Sequence, residues 1–367
     1  MTKKVLNSQP TNKKSNSEVV RVENYLDALL SQKEVEARQV DASYADLLAQ
    51  VRALVSRGGK RLRPKLVINA YKAFGGTDME AITKAAASQE LFHTFALVHD
   101  DIIDRDIVRW GGPNISGHYL KVFAKKYEPQ EARHYADSWA LLAGDLCLGL
   151  SLEALSASGF AHNRIAKATR LVQQSLFRMI GGELMDVAAP VYGLAIDSSD
   201  EDYFTRLYAS KTSVYSFCMP LRLGALLAGA GLASDRQLEA FGYHTGIAFQ
   251  LKDDILGVFG DESKTGKSTL SDLREGKRTM LISLGYKAAN SRQKQILNRV
   301  LGNPKASYKD LGLVQDILKT TGALGRTQSA MQRHCDEARN ILLRAGFPMS
   351  LNSHLADLLA FSVKRSS

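Results

Sequence analysis

Twice in this chain a long apolar helical run ends in aspartates. The first run is LFHTFALVHDDIIDRD, residues 91 to 106, and it carries Asp100, Asp101 and Asp104. No proline or glycine interrupts it, so it reads as helix. On a helix, Asp100 and Asp104 lie one turn apart on one face, with Asp101 beside them. Like charges so close destabilise a helix unless a cation sits between them. Three carboxylates on one face suit a hard ion such as Mg2+, above all one shared with phosphate oxygens. The second run is FQLKDDILGVFGD, residues 249 to 261. Here Asp253 and Asp254 are adjacent, and Gln250 lies nearly one turn earlier.

The rest of the chain also reads as helix. Apolar residues spaced by three and four predict helices from Val19, over Ala42 to Ser56, and over Met79 to Val108. Further helices are expected at 132–158 and at 163–189, the latter ended by Pro190. Another spans Glu201 to Gly231, with a kink or join at Pro220. The helix ending in FQLKDD begins near Gln237, and four or five amphipathic helices fill residues 279 to 364. There is no alternating strand pattern of useful length. The expectation is an all-α protein: a disordered polar tail over residues 1–17 and a single helical domain over 18–367.

Composition narrows the function. With 367 residues, 45% of them hydrophobic, the chain can bury a sizeable core. Its net charge of +10 fits nucleic acid, an anionic membrane surface or a polyphosphate ligand. No nucleic-acid motif or aromatic-rich basic run is present, which argues against nucleic acid. Cys147, Cys218 and Cys335 are scattered and odd in number, against both a disulfide framework and a zinc site. The polar, basic N-terminus has no apolar core for a signal peptide. The two most apolar stretches, near 139–155 and 219–233, are broken by Asp145 and Arg222, so no integral membrane segment is expected. These features point to the cytoplasm.

The basic residues cluster near glycines. In SRGGKRLRPKL, Gly58 and Gly59 end one helix, and Pro64 sits in the first turn of the next. Lys60, Arg61 and Arg63 crowd between them. Backbone N–H groups at a helix start, with fixed cations, make a diphosphate cradle. Arg109 follows Asp104 by five residues, where it meets a phosphate held by a metal. After the second acidic run comes DESKTGKSTLSDLREGKRT, a flexible stretch with Lys264, Lys267, Arg274, Lys277 and Arg278, suited to closing over bound phosphates. Two apolar helices ending in aspartates can face one another across Mg2+ ions bridged by a diphosphate. Such a site stabilises charge on a departing diphosphate, and apolar walls protect the allylic cation left behind.

In this order and spacing, GGKRLRP, DDIID, Gly144–Asp145, Lys211–Thr212, FQLKDD and GKSTLSDLREGKRT resemble the trans-isoprenyl diphosphate synthases, or polyprenyl synthetases. The resemblance covers about residues 20 to 362. It implies an isoprenoid synthase-type helical bundle around a central cavity, usually a homodimer. It also implies head-to-tail condensation of isopentenyl diphosphate with an allylic diphosphate, using two or three Mg2+ ions. Carried over by position, Asp100, Asp104 and Asp253 are the main metal ligands, with Asp101 and Asp254 as supports or ligands of bound water. Arg109, Lys211 and Lys267 hold the allylic diphosphate, and Thr212, Gln250 and Lys277 line its site. Lys60, Arg63 and His93 hold isopentenyl diphosphate. Asp100, Asp104, Asp253, Lys211 and Lys267 form the catalytic set. Two positions depart from the family pattern: Trp110 replaces a second arginine, and Glu183 replaces a frequent glutamine. A terpene cyclase shares the first acidic motif but lacks the GGKRLRP cradle and carries a different second metal motif. A non-catalytic partner subunit typically loses acidic motifs, and both are intact here.

The helix before Asp100 carries a separate expectation about product length. Ala96 lies one turn back on nearly the same face, followed by His93 and Gln89. Phe92 and Phe95 flank that face. An aromatic five positions before the first aspartate, a small residue at four and no insertion in DDIID resemble geranylgeranyl diphosphate synthases. The expected product has twenty carbons, with the fifteen-carbon farnesyl diphosphate as the alternative. Replacing Phe95 by Ala should lengthen the product; an unchanged chain length by mass analysis would remove Phe95 as the floor.

Overall fold

The computed structural model describes residues 11–191, 201–262 and 268–364. It divides into two compact helical units, Met1–Thr169 and Arg170–Ser367.

In the first unit, α1 (Thr11–Arg38), α2 (Ala42–Ser56) and α3 (Leu62–Ala73) precede the long α4 (Met79–Ile103). The first seven residues of α1 fall in the stretch read as a tail, and residues 1–10 lie outside the described chain. Asp41 and Asp78 start α2 and α4 by accepting backbone N–H groups of Ser43 and Ala81. α4 is the centre of this unit and packs on α1, α3 and α6 (Pro129–Ser156). α6 buries Ala132, Ala136, Ala140, Ala143, Cys147 and Ala154. Small residues at helical spacing allow the two backbones a close approach. By length and composition alone α6 could cross a membrane, a test that the core helix of a soluble protein also passes; it contains the stretch near 139–155 that the sequence analysis set aside for Asp145.

α4 stops at Ile103, five residues before the predicted end. Asp104 caps it, and Arg105 turns the chain with φ +60°. A small hairpin follows, with Val108–Arg109 (β1) paired to Gly112–Pro113 (β2). Its turn residues, Trp110 and Gly111, have φ of +52° and +72°. Two left-handed residues suit the twist of a two-residue hairpin, but an indole there is strained. Arg57 ties the hairpin to the end of α2 through Pro113 O at 2.7 Å. After α5 (Ile115–Phe123) and α6, α7 (His162–Val191) runs into the second unit.

The second unit is centred on α10 (Leu232–Phe259). The helix predicted from Glu201 to Gly231 is three segments: α8 (Glu201–Tyr208), a π-helical stretch Ala209–Cys218, and α9 (Met219–Ala228). Pro220 sits in the first turn of α9, where its missing N–H costs nothing. The π stretch is accommodated by glycines. A Cβ on Gly182 of α7 would come within 2.7 Å of Ser210 C, and one on Gly246 of α10 within 2.5 Å of Ser213 Cα. π segments are rare and often mark functional positions, and this one carries Lys211 and Thr212. Five helices fill residues 280–364, broken at Gly302–Pro304 and Gly346–Pro348 as expected. The three cysteines are buried and free.

Within GGKRLRP the structure separates two arginines that the sequence treats alike. Arg61, with φ +47° and 4% exposed, points inward. It donates to Glu90 at 2.6 Å, to Val55 O at 2.6 Å and to Glu23 at 3.2 Å. It therefore holds the loop to α1, α2 and α4 and is not part of an open cradle. Arg61→Ala strands the buried Glu90 carboxylate and should cost about 3–5 kcal/mol, read as a lower urea midpoint; Arg63→Ala should cost far less.

Candidate active site

Each unit has one acidic helix end, and in both the two adjacent aspartates have different surroundings. In the first unit Asp101 is 2% exposed, while Asp100 and Asp104 are half-buried. Arg109 Nε and Nη2 donate to Asp101 Oδ1 at 2.8 and 2.5 Å, and Nη2 lies 3.6 Å from Asp100 Oδ2. Burial raises the Asp101 pKa, against the pull of the Arg109 hydrogen bond. Asp101 is thus an inward anchor for Arg109. Asp100 and Asp104 keep the helix face between them.

His93 lies two turns before Asp100 on the same face. Burial, then the charges of Arg63, Arg109 and Arg61, hold its pKa well below the ordinary histidine value. A neutral imidazole still has one N–H to donate, and the surrounding guanidinium charge favours an anion. Arg63, His93 and Arg109, drawn from three sequence motifs, therefore act in one electropositive region. Lys60 is exposed beside it.

His93, Ala96, Leu97 and Asp100 form a continuous half-buried face of α4. Phe92 and Phe95 do not share it. They are 0% and 6% exposed and meet edge to face at 5.6 Å, with Phe95 also against His99 at 4.9 Å.

In the second unit Asp254 is 4% exposed and Asp253 half-buried. Asp254 accepts from Tyr208 OH and, at 3.1 Å, from Gln250 Nε2. Gln250 Oε1 accepts from Thr212 Oγ1 at 2.8 Å, and Tyr208 OH accepts the Met280 N–H at 2.8 Å. Burial pushes the Asp254 carboxyl up to about 7, opposed by its hydrogen bonds to Tyr208 and Gln250. This network ties the π stretch to α10 and leaves Asp253 as the outward member of its pair. Lys211 Nζ lies 3.0 Å from Glu183 and 2.7 Å from Asp186 on α7. Lys277 pairs with Glu275 at 3.1 Å. Lys267 lies outside the described residues.

Sequence reasoning did not single out Tyr208, three residues before Lys211. Asp272, which the sequence places in the lysine-rich stretch after FQLKDD, has its carboxyl packed against Gly257 one turn beyond Asp253. The signal for Tyr208 was its place in the helix that carries Lys211, but a buried tyrosine usually means packing alone.

Among the described residues, no three His, Cys, Asp or Glu side chains converge on one point. The half-buried Asp100, Asp104 and Asp253 are hard oxygen donors, which suit Mg2+ when a ligand's phosphate oxygens and water complete the shell.

The polyprenyl synthetase family model matches residues 45–318, across both units. A geranylfarnesyl diphosphate synthase of Aeropyrum pernix is 33% identical over 83% of this chain and 90% of its own. A geranylgeranyl diphosphate synthase of Saccharolobus solfataricus is 35% identical over 72% of this chain and 74% of its own. The crystal structure of a geranylgeranyl pyrophosphate synthase of Corynebacterium glutamicum, complexed with isoprenyl diphosphate and magnesium, matches with a TM-score of 0.87 at 29% identity. That match covers 97% of this chain and all of the other. With its motifs in order and its all-α fold shared, the chain belongs to the polyprenyl synthetase family.

Proposed function

We propose that this protein is a short-chain isoprenyl diphosphate synthase that makes geranylgeranyl diphosphate. The observation that carries the reading is the same division at both acidic helix ends. In each, one aspartate is buried and hydrogen-bonded and its neighbour is half-buried, and the half-buried one is assigned to the cation. Asp100, Asp104 and Asp253 hold Mg2+, with Asp101 and Asp254 as their supports. Arg109, Lys211 and Lys267 bind the allylic diphosphate, with Thr212, Gln250 and Lys277 beside it. Lys60, Arg63 and the neutral His93 bind isopentenyl diphosphate.

Mg2+ at these carboxylates supplies positive charge that stabilises the leaving diphosphate. Arg109 and Lys211 would donate charge-assisted hydrogen bonds to the allylic diphosphate as its C–O bond breaks. The isopentenyl double bond then attacks the allylic carbon, and a proton leaves to the released diphosphate. No side-chain base is required. The curated relatives make products of different length, so length rests on this chain's own α4. Ala96, small and on the Asp100 face, leaves room below the first aspartate for a twenty-carbon chain.

A dimer is part of the proposal. α7 exposes Phe177, Ile180, Leu184 and Val187, which are 81%, 53%, 66% and 40% exposed. Spaced by three and four residues, they form one apolar stripe suited to a second copy of this chain.

Purified protein given Mg2+, isopentenyl diphosphate and allylic primers of five to twenty carbons should release geranylgeranyl diphosphate; no condensation with any primer refutes the enzyme. Asp100→Ala should lose about 10²-fold or more of Mg2+-dependent turnover with an unchanged circular dichroism spectrum, and full activity would exclude its metal role. Light scattering should give the mass of two chains for the wild type and of one for Ile180→Glu/Leu184→Glu; a monomeric wild type contradicts the dimer.

A further inference from the structure

Glu183 stands where the family pattern has a neutral amide, and the structure gives it a specific partner. Its carboxylate lies 3.0 Å from the Lys211 ammonium, and Asp186, one turn along α7, lies 2.7 Å from the same nitrogen. The three side chains are 23–34% exposed, so solvent only partly screens them. Gly182 allows the contact by letting the backbone at Ser210 and Lys211 lie directly on α7. The backbone that carries Lys211 is held in place by Ser213 on Gly246 and by the hydrogen bond from Thr212 to Gln250.

One ammonium thus faces two carboxylates. A diphosphate oxygen approaching Lys211 has to compete with both. With a neutral amide at 183, a single carboxylate would oppose the single cation. Asp186 alone would still orient Lys211.

We propose that Glu183 sets how tightly the enzyme holds diphosphate: by engaging Lys211 it weakens the grip on the allylic substrate and on the inorganic diphosphate product, and so favours product release. The proposal rests on the reading of Lys211 as a diphosphate ligand. The effect is one of charge rather than shape, because glutamine keeps the size of glutamate. Loss of one competing charge-assisted hydrogen bond corresponds to about tenfold in affinity.

The test is calorimetric titration of the full chain with inorganic diphosphate at saturating Mg2+. Glu183→Gln should bind diphosphate about tenfold more tightly than wild type. Its turnover should be inhibited by correspondingly lower diphosphate, and adding Lys211→Ala should abolish the gain. Glu131→Gln makes the same change of net charge at an exposed position in the first turn of α6 and should leave the affinity unchanged. Equal or weaker binding by Glu183→Gln, or an equal gain in Glu131→Gln, overturns the proposal. A wild type that condenses its substrates and binds diphosphate while Glu183→Gln is unchanged sinks this inference alone. A wild type that does neither sinks the functional reading beneath it.

Discussion

Adjacent aspartates at the end of an apolar helix are an electrostatic problem, and the architecture of both units follows from how it is handled. Two neighbouring carboxylates cannot both be buried and charged without partners. In each unit the second aspartate of the pair turns inward and receives side-chain donors. Arg109 reaches Asp101 from the hairpin after α4, while Asp254 receives Tyr208 from the end of α8 and Gln250 from one turn earlier on α10. The first aspartate, Asp100 or Asp253, stays at the helix surface. The buried member anchors the helix end, and the outer one is half-buried.

Backbone strain gathers in the same places. Among the described residues the non-glycine positions with positive φ are Arg61, Arg105 and Trp110. They fall in GGKRLRP, at the end of DDIID and at the hairpin tip. Each costs energy that the surroundings must offset, and such positions concentrate at functional sites. At Arg61 the offset is visible in its buried ion pair with Glu90. At Trp110 it includes the Arg57 contact to the far strand of the hairpin. The rare π stretch belongs in this group, since it places Lys211 against α7 while Thr212 reaches α10.

Much of this was legible in the sequence, for identifiable reasons. Apolar spacing located α2 to the residue, because Asp41 caps it and Gly58 follows its end. The acidic and basic motifs, read in order, led to the family. Direction was not legible. Arg61 and Arg63 are two positions apart in a short loop, and nothing in their spacing says which one points inward. The π stretch was read as an ordinary helix with a proline kink, because one extra residue in a turn barely disturbs an apolar period. Phe92 and Phe95 were placed beside the Asp100 face, as their helical angles require, but spacing alone does not show that both pack into the core. The pairing of Lys211 with Glu183 depends on Gly182 bringing two helices together, a contact between residues 28 apart in sequence.

The central claim is that the outward aspartates hold a cation through which the allylic diphosphate is bound. Calorimetric titration with a non-ionising thiolo analogue of an allylic diphosphate tests it without requiring turnover. Binding should be tight in Mg2+, lost in EDTA, and lost in Asp100→Ala and Asp253→Ala even with Mg2+ present. Equal affinity in Mg2+ and EDTA would contradict it.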